Sequence, residues 1–169
     1  MLKKFVRTFF NRILDIKSWK VNTLSKKSCV EMFPEWEPFQ NNYFNKSLIY
    51  KNKEYWVSEE DEGMFIWDKS KHIVTKVKAN TSLNKGLQEN LIHNIKKDRD
   101  GFAWILSNNT IAKYDMEADT VVELFKYHSK SKQLNSGIYF DMYHDGSNLW
   151  FATYGGGLNI LNKKSRRWS

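Results

Sequence analysis

From Ser47 to the end, apolar and polar residues do not follow helical spacing: they alternate, or cluster in short runs bounded by Gly, Asn, Asp or Ser. The last complete run pair spans Asp145 to Asn162. A polar turn at Asp145-Gly146 leads into Leu149-Trp150-Phe151-Ala152, glycines follow at Gly155 to Gly157, and Leu158, Ile160 and Leu161 close the unit. This pattern predicts a β-hairpin. The same hairpin is predicted at Gly101-Phe102-Ala103-Trp104-Ile105-Leu106-Ser107 with Ile111 to Asp115, and at Glu54-Tyr55-Trp56-Val57-Ser58 with Gly63 to Asp68. Trp56, Trp104 and Trp150 are 48 and 46 residues apart, and Asp68, Asp115 and Asn162 are 47 and 47 apart. A fixed period of that size means a repeat architecture.

Each unit also has a strand before its hairpin, at Ser47–Tyr50, Leu91–Lys97 and Ile138–Tyr143. A fourth strand is predicted at His72–Val77, Val121–Tyr127 and Arg166–Ser169. Four antiparallel strands per period form one blade of a β-propeller. The fold class expected is therefore all-β: a partial β-propeller of about three four-stranded antiparallel blades, with an N-terminal amphipathic segment. The boundaries fall at 1–46, 47–90, 91–137 and 138–169, all within one propeller domain. Lys78–Asn90 and His128–Gly137, rich in Asn, Ser, Lys and Gly, suit the exposed connections between blades. Asp100-Gly101 and Asp145-Gly146 predict type I′ turns, with Asn52-Lys53 in the same slot. Gly63, Gly156 and Gly157 serve the second turn, where the middle unit has Asn108-Asn109 and would use the tolerance of Asn for the left-handed region.

The first 46 residues are read differently. Leu2, Phe5, Val6, Phe9, Phe10, Ile13 and Leu14 fall at helical spacing opposite Lys3, Lys4, Arg7 and Arg12, which predicts an amphipathic helix. An equal alternative makes Phe9–Asp15 and Trp19–Leu24 the two outer strands of a blade, with Asp15 in the place of Asp68. Pro34 and Pro38 forbid a continuous helix or a central strand in Ser25–Tyr43.

Composition changes this picture little. The 169 residues are 41% hydrophobic and 15% aromatic, ample for a β core. A net charge of +8 raises an anionic partner, but Lys and Arg are scattered, without the single basic stripe of a nucleic-acid binder, so no nucleic acid is expected. Cys29 stands alone, so no intrachain disulfide can form. His72, His93, His128 and His144 sit at unrelated offsets from the repeat tryptophans and read as packing or solvated histidines; no metal or cofactor is expected.

Several motifs together carry a resemblance. Gly86-Leu87-Gln88-Glu89-Asn90, Asp98-Arg99-Asp100-Gly101 with Trp104 and Tyr114-Asp115, and Asp145-Gly146 with Leu149-Trp150-Phe151-Ala152-Thr153 and Gly156-Gly157-Leu158-Asn159 resemble the two-component regulator propeller repeat. The resemblance covers residues 47 to 169. It implies an extracytoplasmic sensor region of a bacterial hybrid histidine kinase, facing the periplasm, that binds a small ligand such as an oligosaccharide and passes the signal to a downstream kinase or regulator. It also implies a longer protein with further blades, a membrane span and an output module, and no enzyme activity in this segment. Met1–Lys20 has no apolar core of a cleavable signal.

Alternate turns of a meander emerge on one face of the disc. That face would hold Glu59, Glu60 and Asp61, then Asn108 and Asn109, then Tyr154, residue types that suit sugar hydroxyls and a sugar ring face. Trp56, Trp104 and Trp150 are expected between blades, with Gly63, Gly101, Gly146 and Gly157 in turns. Two other function classes compete with the sensor: a propeller lyase of the streptogramin-lyase type and a protein-interaction scaffold. Were the chain complete, with too few blades for closure, it would have to oligomerise, for example as a homodimer, to close its sheet edges.

Overall fold

The computed structural model describes residues 12–15, 20–23, 34–39, 44–80, 86–127, 134 and 137–169. Met1–Asn41 and Asn42–Ser169 are separate compact units. Cys29, His128, all of Met1–Asn11 and most of Ser25–Tyr43 lie outside the described residues.

In the first unit, β1 (Arg12–Asp15) pairs antiparallel with β2 (Lys20–Thr23), from Arg12 opposite Thr23 to Asp15 opposite Lys20. The strand alternative thus holds at these residues, where the β-branched Ile13, Val21 and Thr23 favour extended backbone. Pro34–Phe39 forms a 3-10 helix of 6 residues, a run short enough to accommodate both prolines.

The second unit contains three antiparallel sheets. The first is β3 (Lys46–Tyr50), β4 (Lys53–Val57), β5 (Met64–Asp68) and β6 (Ile73–Val77), paired in that order. The second repeats the order with β7 (Ile92–Lys97), β8 (Ala103–Ser107), β9 (Thr110–Asp115) and β10 (Thr120–Lys126). The third has β11 (Tyr139–His144), β12 (Asn148–Thr153) and β13 (Leu158–Asn162), and its fourth strand is reduced to a bridge between Leu161 and Trp168. Ile160 and Ser169 exchange both backbone hydrogen bonds at 2.7 and 2.9 Å, so Arg166–Ser169 does return along β13. These are the blades expected from the period.

The blades stack through their faces. β8 is buried along its whole length, because its two faces enter different cores. Ala103 and Ile105 join Tyr55, Val57, Met64, Ile92 and Tyr114 between the first and second blades. Trp104 and Leu106 join Ile111, Tyr139, Leu149 and Phe151 between the second and third. Full burial of each such side chain contributes about 1.5–3 kcal/mol, so a blade is stable only against its neighbours.

The regular Asp68, Asp115 and Asn162 hold turns. Each ends the third strand of its blade, and its Oδ1 accepts backbone N–H groups two and three residues on: Ser70 and Lys71, then Glu117 and Ala118, with Ser165 alone on Asn162. Four residues after each, His72, Asp119 and Arg166 take positive φ of 55°, 49° and 60°. One side chain at the same place in each blade thus imposes one turn shape three times.

The tryptophan spacing hides a slip. Trp104 pairs with Lys113, two residues before Asp115, and Trp150 pairs with Ile160, two before Asn162. In the first blade the residue opposite Ile66, two before Asp68, is Tyr55. Trp56 is opposite Phe65 and so lies on the other sheet face, where Phe44 stands 5.8 Å away ring to ring. A shift of one residue exchanges the faces of a strand. The true series is Tyr55, Trp104 and Trp150, all on the same face of their sheets, and for Tyr55 and Trp104 this is the face packed on the following blade.

The hairpin turns also depart from type I′. Asp145 N–H donates to Asn148 at 3.2 Å with positive φ at Gly146 and not at Ser147, the pattern of a II′ turn. In the second blade the loop is longer, closed by Asp98 N–H to the Phe102 carbonyl at 2.9 Å. Asp98, not Asp100, therefore matches Asp145. Each uses Oδ1 for backbone N–H groups of its loop and Oδ2 to accept from the indole of Trp104 or Trp150, in both cases at 2.9 Å. The backbone N–H of Asn148, and then the Trp150 indole, hold the Asp145 carboxyl at about 2.

Burial raises the hydroxyl pKa values of Tyr55, Tyr114 and Tyr139 well above the usual tyrosine value, with Asp119 adding to the first two. A pKa raised on folding stabilises the fold below the unfolded value near 10, and that stabilisation is lost as pH rises towards the folded one. Spectroscopic titration should therefore find at least three of the eight tyrosines silent until alkaline unfolding, which then exposes them together. Smooth titration of all eight near pH 10 in folded protein would contradict this packing.

Candidate functional site

The site lies where two strands bulge. The pairing of β7 with β8 shifts register between Ile92 and Asn94, and that of β11 with β12 shifts between Tyr139 and Asp141. The extra residues are His93 and Phe140, 47 positions apart and thus at the same place in consecutive blades. A bulge re-aims the side chain that it carries. Here it brings His93 and Phe140 together, with ring centroids 4.7 Å apart.

His93 gathers two of the turns expected on this face. Its Nδ1 is 3.2 Å from Glu59 Oε1, on the β4–β5 turn, and its Nε2 is 2.8 Å from Asn108 Oδ1, on the β8–β9 turn. A carboxylate only accepts, so Nδ1 carries the proton in the first contact. The Asn108 amide suits Nε2 in either state of the ring, since its oxygen accepts from an imidazolium and its NH2, turned over, donates to the neutral form. The His93 side chain is 10% exposed and Glu59 50%, so the ring forms a floor and the acid a rim. The backbone beneath is tied across blades: Asn45 Nδ2 donates to the His93 carbonyl, and Asn94 Nδ2 to the Phe140 carbonyl, both at 2.8 Å.

Beside the floor is an aromatic shelf. Phe140 is 42% exposed and meets Tyr154, 72% exposed, edge to face at 6.4 Å. Tyr154 is set by its own backbone N–H, which donates to Ile138 at 3.0 Å, at the start of the turn with positive φ at Gly155 and Gly157.

Of the residues expected on this face, Glu59, Asn108 and Tyr154 line one continuous surface with His93 and Phe140. Glu60 and Asp61 are exposed on the same turn as Glu59, Asp61 with φ of 58°, and neither makes a described contact with His93. Asn109 is engaged through its backbone: its N–H donates to both Glu89 carboxylate oxygens at 3.0 and 3.1 Å, and its carbonyl accepts from Tyr127 at 2.8 Å. Neither Asn108 nor Asn109 has positive φ, so the Glu89 carboxylate and Tyr127, instead of the left-handed region, fix this turn. Sequence reasoning missed His93 and Phe140; their shared spacing of 47 was the signal that could have found them. Among the described residues no group of three or more His, Cys, Asp or Glu is placed to share a metal ion.

No protein-family model and no curated protein matches this sequence. Among solved structures, the chain is similar to the extracellular domain assigned to a hybrid two-component system of B. thetaiotaomicron, with TM-score 0.63 and 19% identity over 95% of this chain. A second such domain from the same organism aligns with TM-score 0.59 and 16% identity over 75% of the chain. The chain spans 19% and 16% of the lengths of these two domains. The WD40 repeats of RRP9 align with TM-score 0.58 and 9% identity over 76% of the chain. At these identities the likeness is one of fold: blades of the kind that build these extracellular domains and WD40 repeats.

Proposed function

We propose that this chain is a ligand-recognition segment of a two-component sensor, and that it binds a small polyhydroxylated molecule, a carbohydrate being the best fit, on the face formed by Glu59, His93, Asn108, Phe140 and Tyr154. The observation that carries this reading is the convergence on His93 of groups from two blades, next to an aromatic shelf from the third. An acid, an amide and an imidazole offer fixed acceptors and donors to vicinal hydroxyls, while Phe140 and Tyr154 offer apolar faces to the C–H side of a sugar ring. The sensor role and an extracellular or periplasmic placement rest on the B. thetaiotaomicron neighbours, which are extracellular domains of signalling proteins, and on the repeat resemblance. A kinase or regulator receiving the signal is part of the same proposal. Among the described residues no helix is long and apolar enough to cross a membrane.

The test is calorimetric titration of the chain with a panel of soluble oligosaccharides. At least one should bind, and combined replacement of His93, Asn108 and Tyr154 by alanine should weaken it at least roughly tenfold, or about 1.4 kcal/mol. Failure of the whole panel, or an affinity unmoved by the triple replacement, would sink the proposal.

A further inference from the structure

His93 and Asn108 meet in an arrangement that only one charge state of the ring satisfies. Nδ1 faces Glu59 Oε1 at 3.2 Å and Nε2 faces Asn108 Oδ1 at 2.8 Å. Both oxygens accept, so this arrangement needs a proton on each ring nitrogen, as in the imidazolium. A neutral ring has one proton to give. A hydrogen bond to a carboxylate is stronger than one to an amide oxygen, so that proton stays on Nδ1 and Nε2 becomes an acceptor. The Asn108 oxygen then repels it, and half a turn of the amide brings the NH2 onto Nε2 in the same space. Among the described residues the ring is the one partner of this half-buried amide. The turn beneath it is held separately, through the backbone of Asn109 on Glu89 and Tyr127.

The surroundings leave the change of charge to the ring. From the β4–β5 turn it faces the Glu59 carboxylate, with Glu60 and Asp61 exposed beyond. From the β8–β9 turn it faces uncharged Asn108, with Glu89 behind on the Asn109 N–H. From β11 it faces the Phe140 ring, and the adjoining Asp141 is engaged by Asn94 and Lys96. Just before β3, Asn45 reaches the His93 carbonyl beside exposed Lys46. Histidine changes charge between about pH 5 and 8, whereas carboxylates and lysines titrate outside that window.

Resting on the ligand face proposed above, we infer that the His93 proton sets what Asn108 offers a ligand: the amide NH2 when the ring is charged, and the amide oxygen when it is neutral. With the ring neutral, Glu59 and Asn108 both present acceptors and select ligand groups that donate, such as sugar hydroxyls or an amine. With the ring charged, Asn108 presents a donor beside a cation and admits groups that accept, such as a sugar carboxylate. Asn108 thus determines specificity, and His93 acts through it.

The test is nuclear magnetic resonance of the isotope-labelled chain without ligand, titrated from about pH 8 to about pH 5. The His93 ring should begin with its one proton on Nδ1 and gain the second on Nε2. The two side-chain amide protons of Asn108 should shift at the same midpoint. The Asn162 amide, bonded to Asn148 at 2.9 Å at the other end of the third blade, should not follow. Asn108→Asp places on Nε2 an oxygen that cannot turn over, and should raise the midpoint of the ring by at least about one pH unit. A neutral ring protonated on Nε2, an Asn108 amide indifferent to the ring, or a midpoint unmoved by Asn108→Asp overturns the inference. No ligand takes part, so an oligosaccharide panel that fails to bind leaves this coupling standing, and absence of the coupling leaves carbohydrate binding standing.

Discussion

Trp104→Ala is expected to lower the unfolding free energy by about 3–5 kcal/mol, the range for truncating a large buried aromatic. Trp104 is 1% exposed and stacks on Phe125, with centroids 6.2 Å apart and planes at 13°, while Phe151 lies 5.5 Å away. Alanine leaves a cavity between the second and third blades, and neighbours on two rigid sheets cannot collapse into it. It also removes the indole donor from Asp98, a carboxylate 3% exposed, which then keeps only the Asp100 and Phe102 amides. The control is Trp150→Ala. Trp150 makes the same indole–carboxylate bond at the same 2.9 Å, but to exposed Asp145 and on a half-buried face. Its loss should cost about 1 kcal/mol or less. Urea denaturation of both variants decides the matter: equal losses would mean that burial between blades is not what distinguishes these two tryptophans.

The contrast between these tryptophans also shows what a sequence conveys and what it hides. The period, the four strands per blade and the turns after Asp68, Asp115 and Asn162 were legible because each rests on local chemistry: alternation within a strand, or one side chain bonding amides two and three residues on. Position within the sheet was harder to read. The tryptophan at 56 looks like the tryptophan at 104, yet its neighbour Tyr55 holds the equivalent place, because the turn enclosed by the Val57–Met64 pair is two residues longer than the one enclosed by Leu106–Ile111. Bulges hide in the same way. His93 was read as an unremarkable histidine, since nothing within a few residues announces that β7 shifts register there; the shift appears only against β8. Glu59, Asn108 and Tyr154 could be assigned to one face from topology alone, but the two residues that join them, His93 and Phe140, depend on pairing between distant strands. The N-terminal pattern left helix and strand open because Ile13 and Leu14 suit both, and pairing with Val21 and Asn22 settled it.

Gly63→Ala is expected to cost roughly 2–4 kcal/mol, more than a positive φ alone explains. Gly63 has φ of 82°, and a Cβ built there would lie 2.5 Å from the Val77 carbonyl oxygen, with Asn90 Oδ1 at 3.4 Å. The obstacle is backbone, and Val77 is fixed by its pairing with Met64 at the end of β5 and β6. Gly63 cannot retreat the other way, because its N–H donates to the Asn90 carbonyl at 2.9 Å while Asn90 Oδ1 accepts from Ala79 at 2.6 Å. Relief therefore requires breaking either the sheet edge or the tie between the β4–β5 turn and the connection to the next blade. Gly157→Ala isolates the conformational part: φ is 74° and nothing lies within 4 Å of the new Cβ, so its cost should stay at about 1–2 kcal/mol. Urea midpoints for the two variants separate clash from strain, and equal losses would show that the approach to Val77 is not limiting. The turn displaced by Gly63→Ala is the one that carries Glu59 to His93. The same variant should therefore weaken ligand binding under conditions where the chain remains folded, whereas Gly157→Ala, which leaves that turn in place, should preserve the Glu59–His93 contact.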